Sequence, residues 1–123
     1  MSDRKLLGRY GEALAAEYLR KEGYTLLGMN YRTRLGEIDI IAADRKFVVF
    51  AEVKLRKDAS FAEAREFVTH SKQLRIAAAA EQWLQTNEET RQPRFDVIEV
   101  YAPDGTETDK PRIRHWKNAF ERP

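Results

Sequence analysis

The chain has 123 residues, 42% of them hydrophobic and 34% charged, which suits one domain spanning 1–123 around one core. It has no cysteine and two histidines, which excludes disulfides and thiolate metal centres and argues against zinc, so any metal is expected to be oxygen-bound. The net charge of +2 is too small to argue for nucleic acid by itself, no apolar run approaches the ~20 residues of a membrane span, and the charged first residues lack a signal peptide's apolar core, so a cytoplasmic protein is expected.

A helix is predicted over about Asp3–Glu22, with Ser2 or Asp3 as its cap and Gly23 as its stop. Leu7, Tyr10, Leu14 and Tyr18 recur at helical spacing as its apolar stripe. Gly8 and Gly11 lie inside it, each costing roughly 1 kcal/mol relative to alanine. Gly8, Glu12 and Ala15 share a face, so a carboxylate sits among residues with almost no side chain. Two readings stand: tight helix-on-sheet packing with Glu12 at its edge, or close approach of a metal or a phosphate backbone. Tyr24–Arg32 reads as the first strand, with a bend or edge at Gly28 and Asn30. Arg32 and Arg34 are then expected in the following loop, holding phosphates or standing in solvent.

The hairpin that follows carries the chemistry. Glu37–Ala43 and about Lys46–Leu55 read as strands of Ile, Val, Phe and Ala, the composition of strands buried on both faces. Yet Glu37, Asp39, Glu52 and Lys54 stand inside them, and such groups are rarely buried unless paired or bound to a metal. Glu52 and Lys54 are two apart and share a face. If Ala43 pairs with Lys46, Asp39 is diagonal to Glu52; if Ala43 pairs with Val48, Asp39 lies directly opposite. Either way the carboxylates fall within roughly 5–8 Å. Two carboxylates at that spacing repel when dry and become favourable around a hard divalent cation such as Mg²⁺ or Mn²⁺. A lysine beside them can carry charge to a developing anion or a nucleophilic water.

Beyond the hairpin, Arg56–Ser60 reads as a loop and Phe61–Val68 as a short helix or irregular lid. Ser71 is expected to cap a helix running to about Gln85 or Thr86, with Leu74, Ala77, Ala78 and Leu84 buried and Ile76, Ala80 and Trp83 flanking them. Lys72 and Gln73 fall in its first turn, and His70 precedes it as a loop residue. Arg94–Tyr101 alternates as a strand in which Asp96 is expected to pair with an arginine or cap a strand end. Pro103-Asp104-Gly105 marks a turn, and Pro111–Trp116 a last strand with Ile113 and His115 facing inward, after which Phe120 tucks the tail back. The order implies an α/β fold with a mixed β-sheet flanked by helices.

Gly8–Glu12 (GRYGE), Asn30–Ala42 (NYRTRLGEIDIIA), Ala51–Arg56 (AEVKLR) and Arg94–Val97 (RFDV) together resemble the YraN-like family of small bacterial proteins, placed among the Holliday-junction-resolvase-like nucleases. Asp39 followed by Glu52-Val53-Lys54 is similar to the D…E-x-K core of the PD-(D/E)XK superfamily. Ile38 stands where that pattern carries proline, which lowers the motif's specificity. The resemblance implies a restriction-endonuclease-like core and a Mg²⁺-dependent DNA endonuclease. Asp39 and Glu52 would bind the metal, with Glu12 and the Val53 backbone carbonyl. Lys54 would orient or deprotonate the attacking water, and Gln73 would assist at the helix start. Arg32, Arg34, Arg56 and Lys72 are the expected phosphate contacts, and a homodimer is an expected assembly. The alternative is a nucleic-acid-binding module with the same fold and little or no catalysis.

Overall fold

The structure, a computed structural model, describes residues 3–57 and 68–122. The helix or lid expected over 61–68 therefore lies, but for Val68, outside the described residues, as does the expected cap Ser2. Helix α1 spans Asp3–Lys21 and strand β1 Thr25–Arg32, followed by β2 (Glu37–Ala43), β3 (Phe47–Arg56), helix α2 (His70–Thr86), β4 (Gln92–Tyr101) and β5 (Arg112–Phe120). The five strands lie in one sheet in chain order, β1 and β5 at its edges. All neighbours are antiparallel except β3 and β4, whose parallel pairing is the one joined through a helix, α2. This α/β sandwich of a mixed sheet between helices is consistent with a restriction-endonuclease-like core.

Each helix covers one face. Ala15, Ala16 and Leu19 of α1 pack with Ile40, Ala42, Val49, Ala51, Ile98 and Val100. Ile76, Ala79, Ala80 and Trp83 of α2 pack with Ile41, Val48, Phe50, Phe95 and Val97 on the other face. Both helices are rotated about their axes relative to expectation. The buried line of α1 runs through the alanines, leaving Leu7, Tyr10, Leu14 and Tyr18 on its flanks, and Leu74 of α2 is 48% exposed. Small residues let a helix approach a sheet of branched side chains closely, so they take the centre.

The turns are set locally. Gly23 adopts φ +94° and stops α1. Asp44 Oδ1 accepts the backbone N–H groups of Lys46 and Phe47 at 2.8 and 2.7 Å, closing the β2–β3 turn. Its register, Ala43 with Val48, is the one that points Asp39 straight across at Glu52. The bend expected in β1 is a register shift between Leu26 and Gly28, with Asn30 at φ +52°. Arg32 is the last residue of β1, not a loop residue.

The α2 cap is Thr69, two residues earlier than the expected Ser71; its hydroxyl accepts the Lys72 N–H at 3.1 Å. Strand β5 runs past Trp116 to Phe120, whose ring stacks on Phe95 at 5.2 Å between centroids, so the expected tail is sheet. Gly36, in the β1–β2 turn, is buried against α2. A Cβ there would lie 2.1 Å from the Arg75 carbonyl oxygen, so only glycine lets the two backbones meet.

Candidate active site

The β2–β3 ladder runs from Ala43/Val48 to Ile40/Ala51 and stops there, although both strands continue. One further step would pair Asp39 with Glu52. Instead the Asp39 carboxylate accepts the Val53 N–H at 2.9 Å, replacing a backbone bond with a side chain. Ile38 belongs to the core on the α2 side and Ile40 to the core on the α1 side, two positions apart where alternation would give one face. Asp39 thus sits where β2 changes face and parts from β3.

Two lysines gather at Glu52, whose side chain is 7% exposed. Lys72 Nζ, from the first turn of α2, lies 2.5 Å from Glu52 Oε1, and Lys54 Nζ lies 3.9 Å from the same oxygen. The thirteen-residue spacing that pairs Asp39 with Glu52 and the helix start that delivers Lys72 therefore build one cluster. Burial, the charge of Glu52 and, more weakly, Glu12 push the Asp39 carboxyl up to about 7, against the Val53 hydrogen bond and Lys72. Burial and the adjacent Lys72 lower the Lys54 ammonium. Burial also works to lower Lys72, but the hydrogen bond and charge of Glu52 outweigh it and its net shift is upward. Lys72 is thus the fixed cation of the cluster and Lys54 the one readier to release a proton.

The other expected site residues divide into those joined to this cluster and those held elsewhere. Glu12 is near enough for its charge to act on Asp39, and its Oε1 accepts a 3.0 Å hydrogen bond from the Asn30 side chain. Of the two glycines beside it, Gly11 packs on Val53 and Leu55, whereas Gly8 faces open space. Gln73 donates from Nε2 to the Val68 carbonyl at 3.0 Å, holding the segment that enters α2. Arg34 is exposed, and Arg32 is exposed with a 3.4 Å ion pair to Glu37. Arg56 is half-buried and its Nε lies 3.4 Å from Glu99 Oε2.

Sequence reasoning missed two partners. Lys72 appears there as a phosphate contact, whereas it lies on Glu52. Glu99 is a buried carboxylate held by Arg56 and by the Trp116 indole N–H at 2.7 Å. The signal for Glu99 was present: it alternates with Phe95 and Val97 on an apolar face. For Lys72 only the fold brings α2 over β3.

Among the described residues no three of His, Cys, Asp and Glu converge into a ready metal cage. The donor chemistry nevertheless fits a hard cation. Asp39 and Glu52 offer carboxylate oxygens, and the raised Asp39 carboxyl marks a place where more positive charge would be stabilising.

A mixed sheet between two helices, with a carboxylate pair and two lysines where its central hairpin opens, defines an α/β domain consistent with a restriction-endonuclease-like core. The family model described as "Uncharacterised protein family UPF0102" matches residues 11–100. A UPF0102 protein of Alkaliphilus oremlandii is 44% identical over 94% of this chain and 98% of its own length. Another from Geotalea daltonii is 42% identical over 98% of this chain and 93% of its own, and one from Caldicellulosiruptor bescii is 43% identical over 94% and 98%. The chain belongs to UPF0102, which is the YraN-like family that its motifs resemble. No helix among the described residues is long and apolar enough to cross a membrane.

Proposed function

We propose that this protein is a Mg²⁺- or Mn²⁺-dependent endonuclease that hydrolyses phosphodiester bonds in DNA, with the Asp39/Glu52/Lys54/Lys72 cluster as its centre. One observation carries the reading. An apolar sheet interior holds two neighbouring carboxylates, and the nearest cations do not bring Asp39 back to its ordinary acidity. A structural ion network would be expected to satisfy both.

Asp39 and Glu52 would hold the metal, with Glu12 and the Val53 carbonyl as further oxygen donors. The bound metal would activate water and polarise the scissile phosphate. Lys54, its ammonium lowered, is placed to take a proton from an attacking water or return one to the leaving oxygen. Lys72 balances Glu52 in the absence of other cations and can turn to a phosphate oxygen. Arg34 and Arg32, beyond the β2 end of the cluster, supply phosphate contacts, and Gln73 keeps the start of α2 in place.

The test is cleavage of labelled duplex, single-stranded, flap and four-way-junction DNA with Mg²⁺ or Mn²⁺. The wild type is expected to cut, and Glu52→Gln and Lys54→Ala to lose at least about 10²-fold in rate. DNA binding without cleavage in all three proteins would overturn the enzyme and leave a binding module. That second reading draws on the Lys72–Glu52 contact, which fills one carboxylate with a protein cation.

A further inference from the structure

The β1–β2 turn presents a leucine where solvent reaches it. Leu35 is 58% exposed, the most exposed large apolar side chain among the described residues. A leucine on a loose loop folds back onto apolar surface, but this turn is held. Thr33 Oγ1 accepts the backbone N–H groups of Leu35 and Gly36 at 3.0 and 3.1 Å, and the Thr33 N–H donates to the Gly36 carbonyl at 2.8 Å. Gly36 is seated on the backbone of Arg75 in α2 so closely that a Cβ would not fit. Leu35 is therefore fixed outward.

Its surroundings are basic. Arg34 precedes it and Arg75 lies beneath the turn; both are exposed, and neither has an ion pair among the described residues. A cleft of about 300 Å³ beside the turn is lined by Glu37, Thr69, Ser71, Lys72, Arg75 and Ile76. Lys72 lines this cleft and also touches Glu52, so one side chain joins the cleft to the carboxylate cluster. Asp39 lies four residue steps beyond Leu35, at most roughly 13 Å along the chain.

Resting on the nuclease reading, we propose that Leu35 is a wedge that inserts at an unstacked base step of branched DNA, while Arg34 and Arg75 hold the flanking phosphates. An apolar side chain pushed between base steps needs a rigid mount and cationic anchors on either side. The turn supplies the mount and the arginines the anchors. DNA whose stacking is already broken, at a junction or a flap, lowers the work of insertion, so the wedge selects that class. A second copy of the chain is the weaker occupant. A twofold interface sets the same patch against itself and would bring Arg34 and Arg75 against their own copies.

The experiment uses the full chain without divalent metal, so that binding is read apart from cleavage. Four-way-junction and plain-duplex DNA carry 2-aminopurine at the branch or at the matching duplex step. Wild type is expected to raise the fluorescence at the branch. Leu35→Ala should lose that rise while its Kd changes less than about threefold, and Arg34→Ala/Arg75→Ala should weaken binding of both DNAs about tenfold. Binding without a rise, or a rise kept in Leu35→Ala, overturns the wedge and leaves the nuclease reading standing. A dimer that Leu35→Ala turns into a monomer in sedimentation also overturns it, in favour of an interface between copies. Failure of the wild type to bind any DNA overturns the wedge and the nucleic-acid reading together.

Discussion

Two aspartates in this sheet, Asp39 on β2 and Asp96 on β4, are embedded among apolar side chains and titrate in opposite directions. Burial pushes both up. At Asp96 the push is overcome. His115 Nε2 lies 2.7 Å from Oδ2, Arg94 donates to both oxygens at 2.9 and 2.8 Å, and the Asn118 N–H donates to Oδ1 at 2.9 Å. The network extends outward through Arg94 to the Tyr24 hydroxyl at 2.7 Å, and His115 Nδ1 lies 3.0 Å from the Tyr18 hydroxyl. The Asp96 carboxyl ends below its ordinary value. At Asp39 one backbone N–H and a more distant lysine do not outweigh burial and Glu52, and the carboxyl rises to about 7. A carboxylate with every oxygen occupied holds a fold together. One left short of partners is a place for something from outside the chain.

The contrast breaks most sharply at Asp96. Asp96→Ala strips the carboxylate from Arg94, a residue that is 8% exposed, and leaves the Asn118 N–H without its acceptor. The expected loss is about 3–5 kcal/mol in urea unfolding, the range for removing one partner of a buried pair. A loss under about 1 kcal/mol would mean that water replaces the carboxylate and that the two aspartates differ less than their partners suggest.

Lys72 sharpens the comparison from the other side. If it occupies the cation position at Glu52, Lys72→Met removes a competitor. The variant should bind Mn²⁺ about tenfold tighter by calorimetry, equivalent to ~1.4 kcal/mol. Weaker Mn²⁺ binding would make Lys72 a support for the carboxylates, closer in kind to Arg94 at Asp96.

The same contrast explains what could be read from the sequence. Asp39, Glu52 and Lys54 stood out because charged residues interrupt a run of Ile, Val and Ala, and strand periodicity alone places Glu52 and Lys54 on one face. The arginine expected for Asp96 is Arg94, two residues away on the same strand. Register was legible only as two alternatives, since the loop around Asp44 accommodates either and the Asx turn decides between them. The helix faces came out rotated because an alanine run such as Ala77–Ala80 gives no preferred side; only the sheet chooses one. Contacts between distant segments had no local signal: Lys72 on Glu52, Asn30 on Glu12, Trp116 on Glu99, and the seat of Gly36 on Arg75.

The pH dependence of stability is the most direct test of whether Asp39 is held short of partners. Asp39→Asn keeps an oxygen for the Val53 N–H and removes the titration. Below about pH 3 aspartate is mostly protonated in folded and unfolded chains alike, its ordinary value being 3.8. As pH rises from there towards about 7, the unfolded chain releases this proton while the folded chain keeps it. Stability contributed by the raised group is therefore lost across that window and gone above it. The asparagine variant escapes this loss. Without metal it should match the wild type near pH 3 and exceed it at pH 8 in urea unfolding by at least about 1 kcal/mol, a rise from 3.8 to about 7 carrying at most ~4 kcal/mol, while Mn²⁺ binding falls. Equal stability at both pH values would mean that Asp39 is satisfied like Asp96. A gain at pH 8 paired with lost metal binding would show the same shortage of partners that destabilises the metal-free fold drawing the cation in.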